Sequence, residues 1–182
     1  MSATATLLTV DQFLELPEKD DVRRELDEGV VIEMAGGAPR HEIAKANITA
    51  LLAAWNQQAK RGKVFSEAMF ALRPATYYIP DVAWVSAEWL RSQDLDQRVF
   101  RRAPDLAVEV VSSETAARLE RKVRAYLREG SRRVWAAFLE ERAVIVYRPD
   151  GSSQLLVEEQ LLREPELLPE FDAKVSEFFE GV

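Results

Sequence analysis

Apolar residues recur along this chain at helical spacing in some segments and alternate with polar residues in others. After Pro39, apolar side chains recur every three or four residues, which predicts a long amphipathic helix that ends before Gly62. A helix with one apolar face of this length is expected to cover a sheet. The residues of this face are Ile43, Ile48, Leu51, Leu52 and Trp55.

A second helix is predicted in SSETAARLERKVRAYLREG, and it is the clearest helix in the sequence. Serine caps precede it, and Gly130 follows it. Leu119, Val123, Tyr126 and Leu127 fall on one face, so this helix should also pack against a sheet.

The first part of the chain has the pattern of a short helix followed by a hairpin. Thr9 and Gln12 have the spacing of a capping box, which predicts a helix over residues 10–16. In ELDEGVVIEM, Asp27, Glu28 and Gly29 separate two short runs with partial alternation, which predicts a β-hairpin.

Strand-forming runs occupy most of the remaining chain. We predict three strands of a compact meander in VFSEAMFAL from Val64, DVAWVS from Asp81 and DLAVEVVS from Asp105, with a helical turn in AEWLRSQ between the last two. RRVWAAFLEERAVIVYRPDG predicts two more strands around an acidic turn, and FDAKVSEFFEG has the appearance of a final helix.

Together these elements predict one domain over residues 1–182, of the α/β or α+β class, with a mixed central β-sheet flanked by helices. The 182 residues, 47% of them hydrophobic, are enough for one continuous core. The N-terminal helix and hairpin occupy residues 8–35. The acidic segment 158–182 is expected to be a peripheral extension of this domain.

Composition limits the chemistry that the chain can perform. It contains no cysteine and only one histidine, His41, so a thiolate site or a multi-histidine zinc site is excluded within one chain. Any metal must therefore be held mainly by carboxylates. Long apolar runs and a signal-peptide pattern are absent from the sequence, so we expect a cytoplasmic protein without a membrane partner.

Charge is distributed unevenly along the chain. The net charge of −7 argues against a general polyanion binder, but residues 98–133 contain ten basic and five acidic residues. From residue 140 onward, eleven acidic residues outnumber four basic ones. The basic cluster permits a nucleic-acid partner, although the solvated face of a helix has the same pattern.

Glu109 interrupts a strand that otherwise has the pattern of burial on both faces. Period-two alternation places Glu109 on one face with Asp105, Ala107 and Val111. Burying an unpaired carboxylate costs several kcal/mol, so Glu109 needs a cation, a hydrogen-bond network or access to solvent. A structural salt bridge or an edge strand would also explain it.

Asp81 is the second candidate acidic residue. Pro80 gives the chain an extended entry and puts Asp81 at the start of the apolar strand VAWV, one connection before the strand of Glu109. A Pro-Asp pair before a strand is also common in simple turns. Carboxylates on adjacent strands can converge, and this pairing favours a functional interpretation.

Lys122 is the third candidate, on the second helix. On a helical wheel it lies about 40° outside the apolar arc, so it borders the buried face. Arg118 and Arg121 lie farther toward solvent and are candidates for DNA phosphate contacts, although Lys122 also fits an ordinary surface lysine. Two carboxylates and an ammonium suggest a site for Mg²⁺ or Mn²⁺ and phosphodiester hydrolysis.

Several sequence blocks, in order and spacing, resemble the Uma-type family of putative restriction endonucleases, of the PD-(D/E)XK nuclease superfamily. The resemblance covers residues 10–179 and implies a core of a helix, three antiparallel strands, a helix and a further strand. Asp81 resembles the motif aspartate and Glu109 the central acidic residue, but Val111 stands where the superfamily has lysine. Lys122 is then the candidate replacement. The blocks are RRELDEGVVIEM, RHEIAKANITALL, YYIPDVAWV, APDLAVEVVSSET, RKVRAYLREGSRRVW and VYRPDG.

Glu25 and His41 also match recurring positions of the family, Glu25 as a further metal ligand and His41 as a contact behind the ligands, although structural capping or pairing would also explain each of them. The resulting hypothesis is a Mg²⁺-dependent endonuclease that hydrolyses DNA as a homodimer or higher homo-oligomer. Val111 and the overall acidity leave open a catalytically impaired fold that binds DNA or a protein partner. A third alternative is a mainly structural homo-oligomer, with the acidic C-terminal segment covering a neighbouring copy.

Overall fold

A computed structural model describes residues 7–17, 19, 22–34, 36–112 and 115–182 of the chain. The helices are α1 (Val10–Leu14), α2 (Pro39–Ala59), α3 (Ala87–Arg91), α4 (Ala116–Arg128) and α5 (Val175–Phe178). The strands are β1 (Arg23–Asp27), β2 (Val30–Met34), β3 (Gly62–Ser66), β4 (Phe70–Arg73), β5 (Thr76–Tyr78), β6 (Val82–Ser86), β7 (Leu106–Val111), β8 (Arg133–Phe138), β9 (Ala143–Tyr147), β10 (Ser153–Val157), β11 (Leu161–Glu164) and β12 (Leu168–Lys174).

A six-stranded mixed sheet forms the centre of the fold. Its order is β10-β9-β8-β7-β6-β3, and only β7 and β8 run parallel. Helix α4 is the crossover between these two parallel strands, as a parallel connection requires. The order α2, β3, β6, β7, α4 and β8 confirms the predicted core, and the mixed sheet flanked by helices confirms the predicted fold class.

The two faces of the central sheet are covered by different elements. On one face, Leu106, Val108 and Val110 pack into a core that includes Ile48 and Leu52 of α2. On the other face, Ala107 packs against α4 in a core that includes Leu119, Val123 and Tyr126. Glu109 therefore faces α4, in agreement with the alternation predicted for β7.

A second sheet, with the order β2-β1-β5-β4, lies beside the first. The predicted hairpin is β1–β2, in which Asp27 pairs with Val30 across the turn. The predicted capping box is also present, since the Thr9 side chain accepts a hydrogen bond from the backbone amide of Gln12 at the start of α1. This sheet positions Glu25, the third residue of β1, toward the central sheet.

Two predicted elements were wrong. The run VFSEAMFAL is two strands in different sheets, because Glu67 adopts a positive φ of 54° and turns the chain after β3. FDAKVSEFFEG is mostly not helical, since its first residues belong to β12. There, buried Phe171 and Ala173 alternate with exposed Asp172 and Lys174, a period that indicates a strand.

The segment from residue 158 packs into the main core instead of lying at the periphery. Leu162 of β11, Leu168 of β12 and Phe178 of α5 are fully buried in the same core as α2. Most apolar residues of this segment are thus covered within the chain itself, whereas Leu161 is exposed. Within the described residues, no helix is both long and apolar enough to cross a membrane.

Candidate active site

A cleft of about 590 Å³ opens beside the ends of β6 and β7, at the junction of the two larger sheets. Most of the predicted site residues line it, and only Arg121 of that set does not. The structure therefore brings together side chains from β1, α2, β7 and α4 and from Asp81, the residue before β6. The predicted residues in the cleft are Glu25, His41, Asp81, Glu109, Arg118 and Lys122.

Asp81 and Glu109 are neighbours across two strands. The antiparallel register pairs Val82 with Val108, so Asp81, one residue before β6, falls beside Glu109. The Asp81 carboxylate atom Oδ2 accepts a 2.8 Å hydrogen bond from the Val110 amide, the residue after Glu109. The predicted pairing of these two acidic positions is thus present in the fold.

Asp81 is buried, but it is kept ionised by its surroundings. His41 Nε2 lies 3.4 Å from Asp81 Oδ2, and Arg23 Nη1 lies 3.4 Å from Oδ1. Burial by itself would raise the pKa of Asp81, but the hydrogen bonds from His41 and Val110 and the two nearby positive charges hold it below its usual value. The same hydrogen bond to Asp81 raises the pKa of His41.

Glu109 is buried and hydrogen-bonded at both carboxylate oxygens. Tyr126 donates its hydroxyl to Oε1 at 2.9 Å, and Lys122 Nζ lies 2.7 Å from Oε2. Burial, followed by the negative charge of Glu109, raises the pKa of Tyr126 well above its usual value, so its hydroxyl stays a donor. Helix α4 supplies both donors, which explains how a carboxylate is tolerated in this strand.

Lys122 is buried, which excludes the alternative of an ordinary surface lysine. Its side chain is only 4% exposed and extends from α4 toward the central sheet. Besides Glu109, its ammonium contacts Glu25 Oε1 at 3.2 Å and lies 5.5 Å from the centre of the Tyr78 ring. The position of Lys122 at the edge of the apolar arc of α4 thus places its ammonium between the carboxylates of Glu109 and Glu25.

Glu25 is completely buried and accepts hydrogen bonds from three groups. The Ile79 amide donates to Oε1 at 2.9 Å, the oxygen that also contacts Lys122. Arg118 Nη2 donates to Oε2 at 2.8 Å. Both oxygens of this predicted metal ligand thus have donors in the present arrangement, and Glu25 is well placed to hold Lys122 and Arg118.

Arg118 and Arg121 occupy different surroundings, although both were predicted to lie toward solvent. For Arg118 this was wrong, since its side chain is only 18% exposed and points into the cleft against Glu25. Arg121 is half exposed and donates to Asp27 Oδ2 at 2.9 Å. Both arginines contact β1 of the second sheet, Arg118 through fully buried Glu25 and Arg121 through Asp27.

Arg23 is a residue of the site that was not found from the sequence. Its guanidinium donates to the Ile79 carbonyl and to Glu67 Oε1, besides its contact with Asp81. One signal was present, because Arg23 is two residues before Glu25 and therefore shares its face of β1. Arg23 adds a positive charge directly beside the predicted metal-binding aspartate.

The donor chemistry of the cleft fits Mg²⁺ or Mn²⁺. Among the described residues, no cluster of three or more acidic, histidine or cysteine side chains converges on one point. Asp81 and Glu109 instead provide two carboxylates beside an open cleft. Mg²⁺ is commonly bound in this way, by one or two carboxylates with water and substrate phosphates completing its ligands.

The fold is that of a nuclease-like α+β domain. A crystal structure described as a putative nuclease belonging to DUF820, from Anabaena variabilis, matches with a TM-score of 0.85. The two chains are 20% identical, and the match covers 95% of this chain and 98% of that one, which establishes a shared fold. No match was found among curated proteins.

The chain belongs to the Uma2 family, described as putative restriction endonuclease. The family model matches residues 10–176, nearly the whole chain. The family assignment made from the sequence blocks is therefore confirmed.

Proposed function

We propose that this protein is a metal-dependent endonuclease that hydrolyses DNA phosphodiester bonds in the cleft beside β6 and β7. Asp81 and Glu109 would hold Mg²⁺ or Mn²⁺, and Lys122 is the catalytic cation. The observation that carries the proposal is the 2.7 Å contact between Lys122 Nζ and Glu109 Oε2 beside Asp81. Membership of the Uma2 family and the nuclease-like fold support the reaction class.

The reaction adds a water oxygen to phosphorus, breaks one phosphorus–oxygen ester bond and transfers a proton to the departing oxygen. When bound, the metal supplies a Lewis acid and lowers the pKa of the attacking water. Lys122 can donate hydrogen bonds to that water or to a phosphate oxygen on which negative charge develops. Because Lys122 is fixed by Glu109 and Glu25, little reorganisation is needed during the reaction.

The other residues of the cleft have supporting roles in this proposal. His41 and the Val110 amide orient Asp81 through the oxygen Oδ2. Glu25 holds Lys122 and Arg118, and a direct contact of Glu25 with the metal requires one of these donors to move away. Arg118 in the cleft and half-exposed Arg121 are the proposed contacts for DNA phosphates.

The test is cleavage of supercoiled plasmid DNA by the purified protein with Mg²⁺, Mn²⁺ or a chelator. We expect nicked and linear products only with a metal, and loss of at least about 10²-fold in rate for Asp81→Asn, Glu109→Gln and Lys122→Met. Glu120→Gln, an exposed change on α4, is the matched control and should cleave like the wild type. Equal cleavage by all variants would reject the proposal.

The alternative function is a nuclease fold that binds DNA without cleaving it, and it would give a different result in the same assay. Its motivation is Val111 at the usual lysine position together with the net charge of −7. It predicts salt-sensitive DNA binding that Arg118→Ala and Arg121→Ala weaken, with no metal-dependent product. The buried ammonium of Lys122 favours the enzyme, because it supplies the positive charge missing at position 111.

A further inference from the structure

The outer edge of β10 is an open strand edge of the central sheet. β10 is the last strand on its side, and none of the described strands pairs with it there. The Arg148 amide donates to the Ser152 carbonyl at 3.0 Å, which closes the β9–β10 hairpin. Since backbone groups alternate in direction along an antiparallel strand, those of Ser153, Leu155 and Val157 point away from β9.

The contacts of Val157 agree with this alternation. Its amide donates to Gln160 Oε1 at 2.8 Å, and its carbonyl accepts the Gln160 amide at 2.9 Å. The edge is therefore closed at Val157 by the following turn. Ser153 and Leu155 remain as the positions where β10 presents amides and carbonyls at its open edge.

β10 lacks the features that normally prevent edge strands from pairing. Such strands are usually protected by lysine, proline, a bulge or a covering segment. The sequence of β10, SQLLV, has no charged residue and no proline, and its register with β9 is continuous. Leu155 is 60% exposed and Val157 is 40% exposed. At the opposite edge of the sheet, β3 carries Lys63.

We propose that β10 is the contact through which two copies of this chain associate, paired antiparallel with Gln154 of each copy at the twofold axis. In this register Ser153 lies opposite the partner's Leu155, and the two residues exchange a pair of backbone hydrogen bonds. The twofold axis generates a second identical pair, in which Leu155 lies opposite the partner's Ser153. Every outward backbone group of Ser153 and Leu155 is then used, which makes the strand complementary to itself.

The exposed apolar side chains of β10, Leu155 and Val157, favour a second copy of the same strand as its occupant. On the α4 face of the sheet, residues of α4 and of the β9–β10 hairpin line a groove of about 720 Å³. Leu155 is 60% exposed and shares the face of β10 with Ser153, which lines this groove, so β10 pairing would place the Leu155 side chains of both copies on the same face of the joined sheet. The apolar lining residues of the groove are Val111, Leu119, Val123, Leu127, Phe138 and Tyr147, and its charged ones are Glu120, Arg124, Glu140, Glu141 and Arg148.

A cysteine cross-link tests the proposed register, because the natural chain has no cysteine. In the Gln154→Cys variant, the two cysteines would face each other at a non-hydrogen-bonded pair, where Cα atoms are about 4.5 Å apart, within disulfide range. We expect mild oxidation to give a covalent dimer. Leu95→Cys, 63% exposed and outside β10, is the matched control and should remain mostly uncross-linked.

Light scattering tests the association without a cross-link. The wild type should reach twice the chain mass of 20.7 kDa in the micromolar range. Ser153→Pro removes an outward amide that forms no bond with the described part of the chain, so it should give monomers, whereas Ser153→Ala should not. Circular dichroism checks that both variants fold, and if Ser153→Pro does not, the cysteine variants decide.

Two results would overturn the proposal. One is a wild type that stays monomeric at every concentration. The other is a dimer in which Gln154→Cys cross-links no faster than Leu95→Cys, because the copies would then meet elsewhere. Neither result depends on nuclease activity.

Discussion

Lys122 Nζ lies 2.7 Å from Glu109 Oε2, although one residue belongs to a helix and the other to the strand before it. α4 follows β7 directly and folds back over the face of the central sheet that carries Glu109. A lysine on this helix therefore contacts the carboxylate of Glu109, and we propose that it takes the role of the lysine that the superfamily pattern has two residues after the acidic one. Because the lysine side chain is long, an ammonium group can reach the same point from a lysine at either of two positions in the chain.

This relationship predicts that the lysine can be moved back to the strand. Val111 shares the α4 face of β7 with Glu109 and packs against the same core as the helix. We expect Val111→Lys combined with Lys122→Met to recover part of the cleavage that Lys122→Met loses, which is about 10²-fold. Val111→Met with Lys122→Met is the control. No recovery in a folded double variant would show that position 111 cannot replace Lys122.

The Lys122 contacts also predict a large effect on stability. Lys122→Met removes the cation between two buried carboxylates, and we expect a loss of about 3 to 5 kcal/mol in the free energy of unfolding. Adding Glu109→Gln should restore part of the lost stability, because it removes the negative charge of Glu109 that Lys122 no longer neutralises. Urea denaturation followed by tryptophan fluorescence measures both variants. A loss below about 1 kcal/mol would mean that water already solvates this site.

The four tyrosines predict the behaviour of the protein at alkaline pH. Burial, the largest effect in each case, raises the pKa of Tyr77 to about 12 and also raises those of Tyr78, Tyr126 and Tyr147. A tyrosine in the unfolded chain ionises near pH 10, so the folded state binds the proton more tightly. The contribution of these tyrosines to the free energy of unfolding is fully present below about pH 10 and is lost as the pH rises above it.

Absorbance of the phenolate measures this titration. In the folded protein we expect phenolate to appear only above about pH 10, together with the loss of circular dichroism. In concentrated urea all four tyrosines should titrate near about pH 10. Ionisation of the tyrosines near that pH with an unchanged circular dichroism spectrum would contradict the burial of these side chains.

At Gly62 the structure leaves no room for an added methyl group. A Cβ atom at Gly62 would lie 1.9 Å from the Val85 carbonyl oxygen and 2.9 Å from the Trp84 ring, so β3 or β6 would have to shift. We expect Gly62→Ala to destabilise the protein by about 1 to 3 kcal/mol or more. Gly36→Ala is the control, since nothing lies within 4 Å of its Cβ position. Equal melting temperatures would contradict the close contact of β3 with β6.

Much of the site was predictable because its key residues belong to strongly periodic elements. Alternation in β7 predicted the face of Glu109, and the helical period of α4 predicted that Lys122 borders its buried face. Arg23 was not predictable in the same way, because its partners Asp81 and Glu67 lie beside other strands, just before the start of β6 and after the end of β3. Local periods give the direction of a side chain but not the identity of the group opposite it.

The sequence alone determined where α2, α4 and the β1–β2 hairpin form, because apolar period and capping residues act over a few neighbouring positions. Only the tertiary structure decided that Glu67 turns the chain from one sheet to the other and that β12 enters the core. It also decided that Lys122 meets Glu25, 97 residues away in the chain. Contacts across such distances follow from how whole elements pack together, since burying apolar faces fixes which charged groups must neutralise each other inside.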